Sequence, residues 1–76
     1  MMTYMPTAPT PIRLRLAENM RRLRREREWS QEDLAAKARL HRNQIGAMER
    51  AENSVGIDIV DKLALTFGVA VGQLLD

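Results

Sequence analysis

Apolar residues recur at helical spacing in separate stretches along this chain, and the stretches predict an all-α fold of five helices in one compact bundle. Leu16, Met20 and Leu23 line one face of a first helix running from near Ile12 or Arg13 to Arg27. A second helix opens at Ser30. Its hydroxyl can accept from a free amide of the first turn, and Asp33, three residues on, completes a capping box. Trp29 before the cap and Leu34 inside it are spaced for a hydrophobic staple. Leu34, Ala35 and Ala38 form the apolar stripe of this helix. Ile45 and Met48, with Glu49 beside them, form that of a third helix starting near Arg42. Ala51–Gly56 reads as a loop. Val60, Leu63, Ala64 and Phe67 face inward from a fourth helix that begins near Ile57 or Asp58 and stops at Gly68, and Leu74 and Leu75 mark a short fifth.

The second and third helices are separated only by Arg39-Leu40-His41, too short for anything but a sharp reversal, so Ser30–Arg50 reads as a helix-turn-helix. Arg42, Asn43 and Gln44 stand in a row at the start of its second helix. These side chains match base edges. Arg can hold guanine O6 and N7 with two hydrogen bonds, and Asn or Gln can hold adenine N6 and N7 in the same way. Ala47, one turn on, can meet a thymine methyl.

Size and charge narrow the function. Seventy-six residues make one small domain, over residues 12–76, near the lower limit for a self-sufficient core. Residues 1–11, with three prolines and no charge, read as a flexible arm. There is no cysteine for disulfides or thiolate metal sites, no signal-peptide pattern and no membrane-length apolar run, so a cytoplasmic location is expected. The net charge is only +2, but eleven of the twelve basic residues lie in the first fifty positions. A basic front and an acidic back suit a protein that faces phosphate on one side. The single histidine, His41, has no nucleophile or carboxylate constellation around it in the sequence. With no phosphate-binding glycine loop and no metal-ligand spacing either, catalysis, a metal site and cofactors are not expected.

The chain from about Leu16 to Leu75 resembles the phage-repressor/Cro-like (XRE) helix-turn-helix family, whose fold is that of the lambda-repressor DNA-binding domain. The resemblance runs through Leu16, Met20, Leu23-Arg24, Trp29-Ser30-Gln31-Glu32, Leu34-Ala35, Ile45, Glu49-Arg50, Leu63-Ala64, Phe67-Gly68-Val69 and Leu74-Leu75. Within the family, LHRNQIGAMER, a loop and GIDIVDKLA are similar to the small controller proteins of restriction–modification systems. The resemblance implies a clamp between Arg24 and Glu49, and a Gln31 that bonds a backbone phosphate and often the side chain at Arg42. His41 stands where Ser or Thr usually caps the third helix, so a turn role or a phosphate contact is expected of it. Arg50 and Asn53 are placed to touch phosphates, although Glu52 lies between them. Glycine is common in the family at the positions of Glu28, Arg39 and Ala51, where helices end in a left-handed turn.

These readings imply a sequence-specific regulator that binds double-stranded DNA as a homodimer on a palindromic site, with no small-molecule ligand. The dimer contact is expected on Leu65, Val69, Val71 and Leu74. A protein-interaction module such as an antitoxin or adaptor is the alternative, served by the uncharged arm and the apolar C-terminal face.

Overall fold

The computed structural model describes residues 10–76, which form five α-helices and no strand: α1 Pro11–Glu26, α2 Gln31–Ala38, α3 Arg42–Glu49, α4 Ile57–Phe67 and α5 Val71–Leu75. No helix among them is long and apolar enough to cross a membrane. The first helix starts one residue before the earliest expected position. Thr10 caps it by accepting from Arg13 N at 3.4 Å, and Pro11, whose fixed φ suits a first helical turn, follows. Thr10 and Pro11 therefore belong to the ordered body, while residues 1–9 of the expected arm lie outside the described residues.

The capping box of α2 forms as expected. Ser30 Oγ accepts from Asp33 N at 2.9 Å, and Asp33 Oδ2 accepts from Ser30 N at 2.8 Å. These bonds favour the ionised carboxylate. The backbone hydrogen bond from Ser30 is the largest cause holding the Asp33 carboxyl below its ordinary value of 3.8.

Four consecutive helices end in the same hydrogen-bonded turn. At each end, one amide reaches back five residues and the amide before it reaches back three, in the Schellman arrangement. The pairs are Trp29 N to Arg24 O with Glu28 N to Arg25 O, Leu40 N to Ala35 O with Arg39 N to Ala36 O, Glu52 N to Ala47 O with Ala51 N to Met48 O, and Val69 N to Ala64 O with Gly68 N to Leu65 O. The turn needs a left-handed residue, and only α4 supplies glycine, Gly68 at φ 73°. Glu28, Arg39 and Ala51 take φ of 56–57° instead. The geometry is thus kept and the strain accepted, at roughly 1 kcal/mol or more for each side chain.

The core collects the apolar stripes of all five helices, with Met20, Leu34, Ile45, Leu63 and Leu74 completely buried. Trp29, spaced for a staple on Leu34, lies flat on Phe67 of α4, the ring centroids 5.8 Å apart and the planes 14° from parallel. Arg27 and Lys37 place their charges over the Trp29 ring, at 5.7 and 5.0 Å from its centroid. Leu74 corrects one expectation. It is 0% exposed and packs in the protein's own core, so its side chain cannot reach a second subunit. A five-residue helix has one apolar side to spend, and Leu74 spends it inward.

Two outcomes follow from the helix ends. Glu28→Gly, at an exposed left-handed site, should raise unfolding stability by up to about 1 kcal/mol, and Gly68→Ala should lower it by about 1 kcal/mol. Space is not the cause at Gly68, where an added Cβ meets nothing within 4 Å. Urea denaturation measures both. A lowered Asp33 pKa contributes stability that is present above the ordinary carboxylate value and lost as the pH falls through the lower folded value. Urea midpoints followed from pH 6 to pH 3 should therefore fall more steeply for the wild type than for Asp33→Asn, which keeps an acceptor but does not titrate.

Candidate nucleic-acid interface

The short helix α3 is held by its C-terminal end. Glu49, its last residue, is 3% exposed, and a carboxylate so placed must be paired to be tolerated. Arg24 of α1 pairs with it through both oxygens, Nε to Oε2 at 2.8 Å and Nη2 to Oε1 at 3.0 Å, in the fork geometry that suits guanidinium and carboxylate. Gln31 Nε2 of α2 adds a bond to Oε1 at 3.1 Å. The third arm of Arg24, Nη1, donates to Trp29 O at 2.9 Å and so fixes the α1–α2 turn. The hydrogen bond to Glu49 is the main cause raising the Arg24 pKa further above its ordinary range. One carboxylate thus joins α1, α2 and α3. Gln31 does not turn to Arg42 as the resemblance implied, but only one of its two amide hydrogens is used.

The arginines of α1 do more than face solvent. Backbone carbonyls at a helix C-terminus lack partners and carry partial negative charge. Arg21 Nη1 donates to Glu49 O at the end of α3. Arg27 Nη2 donates to Phe67 O at the end of α4, at 2.7 Å. Arg15 Nε donates to Leu75 O at the end of α5, at 2.8 Å, beside Asn19 Nδ2 to Leu74 O at 2.9 Å. Sequence alone does not show these contacts, because each joins residues between 28 and 60 positions apart. They also change the meaning of the basic front: much of that charge is spent inside the fold.

What remains outside is the N-terminal end of α3. Ile45, Met48 and Glu49 face inward, whereas His41, Arg42, Asn43 and Gln44 are exposed and Ala47 is half-buried. His41 takes the capping role, its Nδ1 accepting from Asn43 N at 3.0 Å. A neutral ring in this arrangement carries its proton on Nε2, which points a donor away from the helix. Gln44 completes the cap by accepting from His41 N through Oε1 at 2.8 Å. Arg42 Nε lies 3.7 Å from Glu32 Oε1 of α2, both side chains well exposed. The Asn43 side chain makes no hydrogen bond among the described residues.

Arg50 and Asn53 sit differently from one another. Asn53 is exposed in the loop after α3. Arg50 is bound to Glu52, Nε to Oε2 at 2.7 Å and Nη2 to Oε1 at 3.1 Å. This pairing raises the Arg50 pKa and lowers that of Glu52, the mutual hydrogen bond being the first cause in each. The same side chain folds over Gly46, where an added Cβ would sit 3.0 Å from Arg50 Nη1. The glycine inside α3 is therefore met by its own helix's capping arginine, and not by a neighbouring helix.

Among the described residues, no group of three or more His, Asp or Glu side chains is placed to hold a metal ion. Residues 20–74 match the helix-turn-helix family HTH_3. The chain belongs to this family. A hypothetical transcription factor of Neisseria meningitidis is 41% identical over 64 residues, and this chain covers 60% of its length with 84% of its own. Control protein C.BamHI of Bacillus amyloliquefaciens is 36% identical over 66 residues, which cover 86% of this chain and 82% of that protein. Among solved structures, a hypothetical transcription factor, NHTF, from Neisseria superposes with a TM-score of 0.84 at 36% identity, over 100% of this chain and 90% of that one. The restriction–modification controller protein C.AhdI from Aeromonas hydrophila superposes with a TM-score of 0.77 at 29% identity, over 82% and 94%. The family resemblance read from the sequence is thus shown, as is its likeness to restriction–modification controller proteins.

For this HTH_3 domain, the buried pair should dominate stability. Removing either partner alone, by Arg24→Ala or Glu49→Ala, should cost roughly 3–5 kcal/mol in urea denaturation, because the remaining charge is left buried without its counter-charge. Replacing both, Arg24→Met with Glu49→Leu, should cost clearly less than the two single changes added together.

Proposed function

We propose that this chain is a sequence-specific DNA-binding transcription regulator, of the restriction–modification controller kind, that acts in the cytoplasm as a homodimer on a palindromic operator. One observation carries the reading. The second helix of the helix-turn-helix is clamped at its C-terminal end by Arg24 and Glu49, while its N-terminal end presents Arg42, Asn43 and Gln44 to solvent. A rigid helix with base-matching side chains at its free end is what the major groove accepts. The names of the relatives, a control protein and transcription factors, support it.

The geometry supports the following roles. Arg42, Asn43 and Gln44 reach base edges, with Ala47 against a thymine methyl. Gln31, through its second amide hydrogen, His41, through Nε2, and Asn53 bond phosphates flanking the groove. Arg50 joins them through Nη1, the one terminal nitrogen that Glu52 leaves free. No cofactor or small-molecule effector enters this reading.

The second subunit docks on α4. Leu65 presents an outer face of α4 at 75% exposure, and Ile57, at the first position of the helix, is 80% exposed. Val69 and Val71 flank this face but are half-buried against the core, so they contribute less than Leu65. One copy reads too few base pairs for useful selectivity, and two copies related by a two-fold axis double the site.

A duplex selected from a random library tests the proposal. Arg42→Ala and Asn43→Ala should each weaken binding to it by roughly 1–3 kcal/mol, with little change on random DNA and no loss of helix by circular dichroism. Equal losses on both duplexes would leave Arg42 a backbone contact only. Leu65→Glu should give a folded monomer in analytical ultracentrifugation, and a dimer that survives it would move the interface elsewhere.

A further inference from the structure

Asn43, Gly46 and Arg50 recur at the spacing of one helix face, so Arg50 stands on the same side of α3 as the exposed Asn43. Its side chain does not swing free there. Arg50 Nη1, Cζ and Nη2 lie 3.0, 3.8 and 3.9 Å from the point that a Cβ on Gly46 would occupy, so the guanidinium rests in the space the glycine leaves. From the other side Glu52 takes Nε at 2.7 Å and Nη2 at 3.1 Å. Glu52 is itself rooted on α3, its amide donating to Ala47 O at 3.1 Å. A long, flexible cation is thus confined to one place on the helix that enters the groove, with a carboxylate bound where a phosphate would bind.

We infer that Glu52 is a specificity-determining residue, which withholds the charge of Arg50 from the phosphates of non-cognate DNA. This deepens the proposed DNA-reading function and rests on it. Binding to random DNA is carried by cations that follow phosphates through many dockings of the protein on the duplex. An unrestrained arginine serves all of those dockings. Arg50, held at Nε and Nη2, offers Nη1 at one place relative to α3 and serves only the docking that brings a phosphate there. Base contacts fix such a docking on the cognate site. In any other, Arg50 must leave two charge-assisted bonds to reach a phosphate, and the Glu52 carboxylate is then left facing the DNA unpaired. The pair is exposed, so it adds little to the stability of the fold, and its effect falls on binding.

Glu52→Gln removes the charge and keeps the backbone bond to Ala47. Wild type, Glu52→Gln, Arg50→Ala and the double variant are titrated, over a range of salt, against the duplex that the wild type selects from a random library and against a random duplex. Circular dichroism confirms that each protein is folded. On random DNA, Glu52→Gln should bind about fivefold more tightly at ~0.15 M salt, the worth of one further released counterion, with a salt dependence steeper by about 0.9. On the selected duplex, where Arg50 already meets its phosphate, the gain should stay below about twofold, so the ratio of the two affinities falls. Both gains should vanish in the Arg50→Ala background. Equal gains on the two duplexes, no gain on random DNA, or a gain that persists without Arg50 would overturn the role of Glu52 while leaving DNA reading intact. Selection of no consensus by the folded wild type would overturn the DNA-reading function itself, and this inference with it.

Discussion

The buried carboxylate of Glu49 is the point on which the arrangement of the first three helices depends. A helix of eight residues is marginal by itself, because few of its backbone bonds are free of end effects. α3 is kept in place by what its last residue does. Arg24 approaches from α1 and Gln31 from α2, while Arg21 takes the carbonyl of the same residue. An apolar anchor of equal size would bury as much surface, but it would tolerate rotation and sliding of α3. Two fork-shaped bonds of 2.8 and 3.0 Å do not, so the charge pair sets orientation more than it adds net stability.

The rest of α1 extends the same logic. Arg15, Arg21 and Arg27 each end on the terminal carbonyl of a different helix, and Lys62 does the same for α2 by donating to Arg39 O at 3.4 Å. α1 is a spine whose basic side chains answer the partial negative charges of the helices around it. Such bonds are worth little singly on an exposed surface, but several are part-buried and each joins elements that are distant in the chain.

Much of this was legible in the sequence. Helical spacing located all five helices, with the expected ends of α1 and α4 within two residues of those observed, and the Ser30–Asp33 pair marked the start of α2. The Arg24–Glu49 clamp could be expected from resemblance alone. Three features were not legible, each for a physical reason. The destinations of Arg15, Arg21 and Arg27 are tertiary, and an arginine-rich helix face looks the same whether it meets water or carbonyls. Leu74 and Leu65 have the same apolar side chain, and only the packing of α5 decides that one is core and the other surface. The engagement of Gln44 Oε1 depends on His41 acting as a cap, a role for which serine or threonine is the usual signal.

Trp29 has a consequence in spectroscopic terms. It is the only tryptophan in the chain, and its indole is stacked on Phe67 with two cationic groups nearby. Its carbonyl accepts the third arm of Arg24. The fluorophore therefore touches α4 through its ring and the buried clamp through its backbone. Its emission colour and quenching give a label-free signal of whether the clamp and the α1–α2 turn are closed, read out from a single indole with no second emitter of its kind to subtract.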